Sequence, residues 1–265
     1  MSIIKKPERE LPLEEILRMT FIIYSKNFLT FFIPFLAAAI VTGILSSLVY
    51  NFTTTAVANI PEPGASLEAI QTWFWSFAVA VLAMTLILAI TSWIINTVVN
   101  GVCVKCAADF MEKGKASLAE AFTFVICKLV PLLVAALITG ILIGLGALAF
   151  IIPGIILSIM FSLVVPTIML EDVGALESLS RSRKLVSYRW LKTFALLLIV
   201  YLAMIFASFI GSLVGQPLGA FSTLVGSIAA AFVQPVIPIS LTVYYYAMVA
   251  KEAQRVPPPP PPPPL

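Results

Sequence analysis

Four stretches of this sequence, 27–61, 69–104, 129–170 and 193–250, contain no Asp, Glu, Lys or Arg. A helix crosses the hydrocarbon core of a bilayer with about 20 apolar residues. A helix in water keeps a polar face and seldom stays apolar all round for so long. Runs of this kind predict transmembrane helices. The composition agrees: 60% of residues are hydrophobic and 11% charged, against about 25% charged in an ordinary globular domain. The first 27 residues carry Lys5, Lys6, Glu8, Arg9, Glu10, Glu14, Glu15 and Arg18, with no short apolar core before a small-residue cleavage site. No cleavable signal peptide is expected, and the first span should act as its own insertion signal.

The spans follow from breakers within the runs. The first is expected at Phe28–Tyr50 and the second at Trp73–Val99. The run 129–170 holds two helices joined near 149–154, where Pro153 and Gly154 stand. The run 193–250 holds two more, broken around Gly215–Gly219, the last running over Phe221–Val249. Pro235 and Pro238 lie inside that last span and should kink it, because each removes a backbone donor. The fold class expected is all-α, a polytopic membrane bundle of six transmembrane helices. Its organisation is an N-terminal segment 1–27, a membrane domain 28–250 and a tail 251–265.

All 16 Lys and Arg fall before the first span, between spans two and three, between four and five, or after the sixth. The loop between spans one and two has Glu62 and Glu68 but no base. Basic links mark the cytoplasmic side, so both termini are expected there, in a multi-pass protein of the cell membrane.

Three segments resemble one another: PLEEILRMTFIIYSKNFLTFF from Pro12, SLAEAFTFVICKLVPLLVAAL from Ser117, and GALESLSRSRKLVSYRWLKTF from Gly174. Glu15, Glu120 and Glu177 occupy the same place in each, and Ser117 with Glu120 reads as a capping box. Apolar residues recur at helical spacing, as Leu118, Ala121, Phe122 and Val125, and as Leu176, Leu179, Val186 and Trp190. The expectation is three pseudo-repeats, each an amphipathic interfacial helix followed by a helical hairpin, with the apolar set of the third inserted into lipid. The third segment concentrates Arg181, Arg183, Lys184, Arg189 and Lys192 against one acid, Glu177. That excess serves topology, and is also expected to bind anionic lipid headgroups at about 1 kcal/mol per base near the surface.

Residues 154–198 also carry a family resemblance. Pro153-Gly154, Pro166, Leu170-Glu171, Ala175-Leu176, Arg181-Ser182, Leu185 and Trp190 resemble the signature of membrane proteins related to the membrane domain of glycerophosphoryl diester phosphodiesterases. The segment from Leu13 is similar to that family's opening helix, and Tyr244-Tyr245-Tyr246 to its closing tyrosines. The acid usual just after those tyrosines is replaced here by Ala247 and Met248. The resemblance implies six spans and no activity, since the hydrolysis in the family's name belongs to a separate soluble domain.

Candidate chemistry is sparse. The chain has no His, which removes His bases, triads and metal ligands. Cys103 and Cys106 form a CxxC, yet no second pair completes the four ligands of a zinc site, so neither metal nor cofactor is expected. No enzyme activity and no nucleic-acid partner are expected. Asn96, Asn100 and Gln234 are the intramembrane polar candidates, suited to interhelical hydrogen bonds. Gly140 with Gly144, and Gly211 with Gly215, form GxxxG pairs suited to close helix packing. Asn51 opens an N-glycosylation sequon on the external side. Eight consecutive prolines in the tail form a polyproline II rod about 25 Å long. It is read either as a docking element for a cytoplasmic polyproline-binding partner or as a solvated end. The function expected is that of a non-enzymatic membrane protein that organises the bilayer or scaffolds partners at its cytoplasmic face. The alternative is a transporter or channel for a small or lipidic solute, with a polar cavity near Asn96, Asn100 or Gln234.

Overall fold

The computed structural model describes residues 6–62, 64–187, 189–217 and 222–255, without the side chains of 222–224 and 255. Among the described residues all regular structure is helical: α1 (Leu13–Lys26), α2 (Phe28–Ala58), α3 (Leu67–Lys113), α4 (Leu118–Cys127), α5 (Leu129–Ala149), α6 (Ile151–Met160), α7 (Val164–Glu171), α8 (Ala175–Ser187), α9 (Trp190–Gly215), α10 (Ser222–Val233) and α11 (Val236–Arg255). Six segments are long and apolar enough to cross a bilayer: Phe28–Ala58, Leu67–Lys113, Leu129–Ala149, Ile151–Glu171, Trp190–Gly215 and Val225–Gln254. None of the most apolar stretch of α3 is buried by protein, and Val79, Leu82, Leu86, Ile87 and Ile90 all stand exposed along it. Apolar surface on that scale needs an apolar solvent, which a bilayer supplies.

Several boundaries differ from the expected ones. The second span does not stop at Val99, because α3 continues to Lys113 and is about 70 Å long. Nothing in 100–112 breaks a helix, and Gly114, with φ +72°, ends it by donating its N–H to Phe110. The first span likewise runs past Tyr50 to Ala58, so Asn51 lies within a helix. The turn between spans three and four sits at Phe150, as its Pro-Gly neighbour predicts. The sixth span is interrupted at Gln234-Pro235, and α11 then runs to Arg255, so residues 251–255 are helix rather than tail. The prolines, Pro257–Pro264, lie outside the described residues.

The chain forms two compact units. One comprises Phe32–Val99 with Leu202–Gln234; the other comprises the described residues up to Phe31, Asn100–Tyr201, and those from Pro235 onward. In the former, Phe32 stacks on Phe232 with ring centroids 4.5 Å apart. Gly211 and Gly215 are buried, and a Cβ on Gly211 would collide with that of Ala229.

The latter unit holds the short helices α1, α4 and α8. Glu15, Glu120 and Glu177 lie in their first turns, where an acid complements the helix dipole. Ser117 Oγ accepts the Glu120 N–H at 3.4 Å. Part of the apolar face of each helix meets protein, while Phe21, Phe122 and Leu176 stand exposed. In α1, Ile16, Ile23 and Tyr24 are buried and the helix packs along α11. In α4, Ala121 and Val125 are buried, and in α8 so are Leu179, Leu185 and Val186, against α5, α6, α7 and α11. Leu179 and Val186 therefore do not enter lipid; of the apolar set in α8, Leu176 alone is strongly exposed, at 72%.

The α5–α6 hairpin corrects one packing expectation. Gly140 and Gly144 face open space, for a Cβ on either meets nothing within 4 Å. An antiparallel hairpin approaches most closely near its turn, and the contact accordingly falls at Gly146 and Gly154. A Cβ on Gly154 would stand 3.0 Å from the backbone of Ala147. Gly154→Ala should therefore lower thermal stability in detergent by about 1–3 kcal/mol. Gly140→Ala and Gly144→Ala should leave the monomer's melting unchanged.

Candidate functional site

The third of the similar segments forms an elbow of α8 and the start of α9, with Arg181, Arg183 and Lys184 on α8, Arg189 in the turn and Lys192 on α9. In α8 the buried stripe Ser178, Leu179, Ser182, Leu185 and Val186 fixes the helix orientation, leaving Arg183 and Lys184 on the outer face and Arg181 at its flank. Ser182 also closes a helix break. Its Oγ accepts the Leu163 N–H at 3.1 Å and donates to the Met160 carbonyl at 2.8 Å, filling the gap between α6 and α7. An unmet backbone group there would cost about 1–3 kcal/mol.

Arg181 turns inward. Its Nε donates to both oxygens of Glu171, each at 2.9 Å, and its other arm meets Glu252 of α11 at 2.7 Å. All three side chains are under one quarter exposed. Lys184 shares Glu252 at 3.3 Å. Burial by itself would lower the Arg181 pKa. The hydrogen bonds to Glu171 and Glu252 outweigh it and raise the pKa above its ordinary value.

Arg189 and Lys192 turn toward a different carboxylate. Arg189 donates through its guanidinium fork to both oxygens of Glu10, at 2.8 and 3.1 Å. Lys192 reaches Glu10 at 3.1 Å and also donates to the Leu11 carbonyl, while Lys251 of α11 lies 2.6 Å from the second Glu10 oxygen. Burial of Glu10 acts to raise its pKa, but hydrogen bonds from Arg189, Lys251 and Lys192 prevail and hold it at about 2.

Between these clusters α11 presents three tyrosines in succession. Consecutive helix residues point about 100° apart, so the three reach different elements. Tyr244 OH lies 2.7 Å from Thr193 Oγ1 of α9, Tyr245 OH donates to Glu171 of α7 at 2.7 Å, and Tyr246 OH donates to Glu112 of α3 at 2.7 Å. Lys6 sits over the Tyr246 ring, 4.7 Å from its centroid. Asp109, one turn before Lys113 on α3, pairs with Lys105 at 3.1 Å and Lys113 at 2.8 Å. An open groove of ≈ 1130 Å³ lies alongside, lined by Lys6, Glu8, Met111, Lys113, Lys115 and Val249, among others.

The intramembrane polar candidates are placed as follows. Asn96 donates to the Ser92 carbonyl at 2.8 Å within its own helix, Asn100 is half-buried on α3, and Gln234 stands at the break before α11. Cys103 is buried, with its thiol 3.8 Å from the Pro235 carbonyl at that same break. Among the described residues no three His, Cys, Asp or Glu side chains gather as a metal-ligand set. Sequence reasoning missed Glu10, Lys251 and Glu252, which lie far along the chain from the side chains they pair with.

The fold defines an all-α polytopic membrane protein. Comparison with protein-family models, with curated proteins and with solved structures finds no match to this chain.

Glu10 gives the site a pH signature. Its pKa is lowered on folding from 4.5 to about 2, so its stabilisation is complete above about pH 4.5 and disappears as pH falls through about 2. The melting temperature of Glu10→Gln should lie below that of the wild type at pH 6. The difference should shrink through this window and vanish at its acid end.

Proposed function

We propose that this chain is a non-enzymatic integral membrane protein with both termini in the cytoplasm, and that its cytoplasmic face organises the bilayer and partners around it. The observation that carries the reading is the distribution of polar side chains. Ion pairs and tyrosine bonds gather where α1, α8 and the ends of α3, α9 and α11 meet. The hairpin apex opposite the start of α5 carries only apolar residues, Phe150 being 76% exposed. Basic links supply the sidedness.

Salt-screened surface contact with anionic lipid falls to the outward bases. Arg181 is committed to Glu171 and Glu252, whereas Arg183 is exposed and Lys184 mostly so. These two meet headgroup phosphate as surface charges, in an interaction that salt screens. The double variant Arg183→Gln/Lys184→Gln should keep wild-type melting and lose part of its association with vesicles containing phosphatidylserine, most visibly at low salt. Unchanged association would leave those bases a topological role alone.

A second reading, a solute path between the pseudo-repeats, is favoured by one observation. The second span of each of the last two hairpins is interrupted, at 161–163 and at 234–235, and paired interruptions of this kind form binding sites in transporters. It ranks second because the first break is filled by buried Ser182 and the second is met by buried Cys103.

A further inference from the structure

We propose that Arg189, Lys192 and Lys251 form a binding site for a phosphomonoester, and that Glu10 is a displaceable occupant of that site. Three cations, Arg189 in the turn before α9, Lys192 in α9 and Lys251 in α11, converge on one carboxylate with N···O distances of 2.6 to 3.1 Å. Lys192 and Lys251 are the more enclosed, at 18% and 12% side-chain exposure, and Arg189 opens the site to the outside at 50%. Among the described residues, Glu252 is engaged by Arg181 and Lys184, and Glu15 by Arg9. A single carboxylate thus balances one of three positive charges. A phosphomonoester brings about 1.5 to 2 negative charges and three acceptor oxygens, which matches an arginine fork and two ammonium groups better than a carboxylate does.

The surroundings favour a lipid as the source of that phosphate. Lys192 is the third residue of α9, a membrane span, so the cradle lies at headgroup depth. Leu191, between the two bases, is 73% exposed, and Leu198 two turns further on is exposed as well. Acyl chains attached to a phosphate in the cradle would lie along that face.

Glu10 belongs to a segment held otherwise by the buried side chains of Pro7 and Leu11 and by polar contacts. Lys192 donates to the Leu11 carbonyl, Gln254 donates to the Glu8 carbonyl at 3.1 Å, and Lys6 rests on Tyr246. Phosphate arriving at the cradle displaces the carboxylate and loosens residues 6–11 from α11 and the start of α9. Lipid occupancy thereby sets whether the N-terminal strap is docked. The inference rests on the proposed cytoplasmic, lipid-facing placement of this end, but the cradle is tested without it by a soluble phosphomonoester.

The experiment uses the full chain in nanodiscs of phosphatidylcholine alone, with phosphatidylserine, or with phosphatidic acid, and reads hydrogen exchange at amides 8–11. Phosphatidic acid should speed exchange in the wild type at least threefold over phosphatidylcholine, and phosphatidylserine, a diester, should do so less. Glu10→Gln should exchange fast in all three discs and should bind phosphatidic acid about tenfold more tightly. Glycerol phosphate added to phosphatidylcholine discs separates the sources: release at millimolar concentration assigns the cradle to any phosphomonoester, and release by the lipid alone assigns it to a headgroup. The triple variant Arg189→Gln/Lys192→Gln/Lys251→Gln should show no response to either. Exchange in the wild type that ignores both phosphomonoesters, or a Glu10→Gln affinity equal to that of the wild type, overturns the proposal. Loss of vesicle association in Arg183→Gln/Lys184→Gln bears on the outer bases alone, so the two readings fail separately.

Discussion

Three successive tyrosines on α11 tie the polar end of this chain together. The hydroxyls of Tyr244, Tyr245 and Tyr246 reach Thr193, Glu171 and Glu112, on α9, α7 and α3. All three rings are buried. A buried hydroxyl must find a partner, so each bond fixes one neighbour, and α11 cannot rotate without breaking all three. Glu171 in turn accepts Arg181 and so places α8, whose Ser182 closes the break between α6 and α7. A chain of satisfied polar groups thus runs from the last helix through the third elbow into the fourth span.

Those bonds make concentrated positive charge in the third elbow compatible with a packed fold. Arg181 spends its charge inside the protein, Lys184 is shared between Glu252 and solvent, and Arg183 remains on the surface. Arg189 and Lys192 are held by an acid from the far end of the sequence. A segment that reads as one basic patch is divided in space into a structural clamp, an outer surface and an anion cradle. We propose distinct roles for them, with lipid contact at the latter two.

The membrane helices were legible because an apolar run of such length without a charge suits a bilayer and little else. The short helices were legible because their first-turn acids and apolar spacing are local signals. The length of α3 was less so: 100–113 has the polarity of a link, yet nothing in it stops a helix before Gly114. The face of α8 differs from the expected one for a physical reason. Amphipathic spacing says that one side is buried and is silent on whether lipid or protein covers it, and here Leu179, Leu185 and Val186 are covered by protein. The GxxxG spacing of Gly140 and Gly144 was equally mute about which pair of glycines a hairpin brings together. Glu10, Lys251 and Glu252 were out of reach because pairing between distant parts of the chain leaves no local pattern. The triple tyrosine was visible in the sequence, though its three separate partners were not.

The central claim is that the basic end of this membrane protein holds anionic lipid, with a preference for a phosphate monoester at the cradle. The most direct measurement is native mass spectrometry of the wild-type protein released from bilayers of defined mixed composition. The account predicts bound lipid enriched in phosphatidic acid over phosphatidylserine, and in both over phosphatidylcholine, relative to the surrounding bilayer. A bound complement that simply mirrors the bilayer would contradict it.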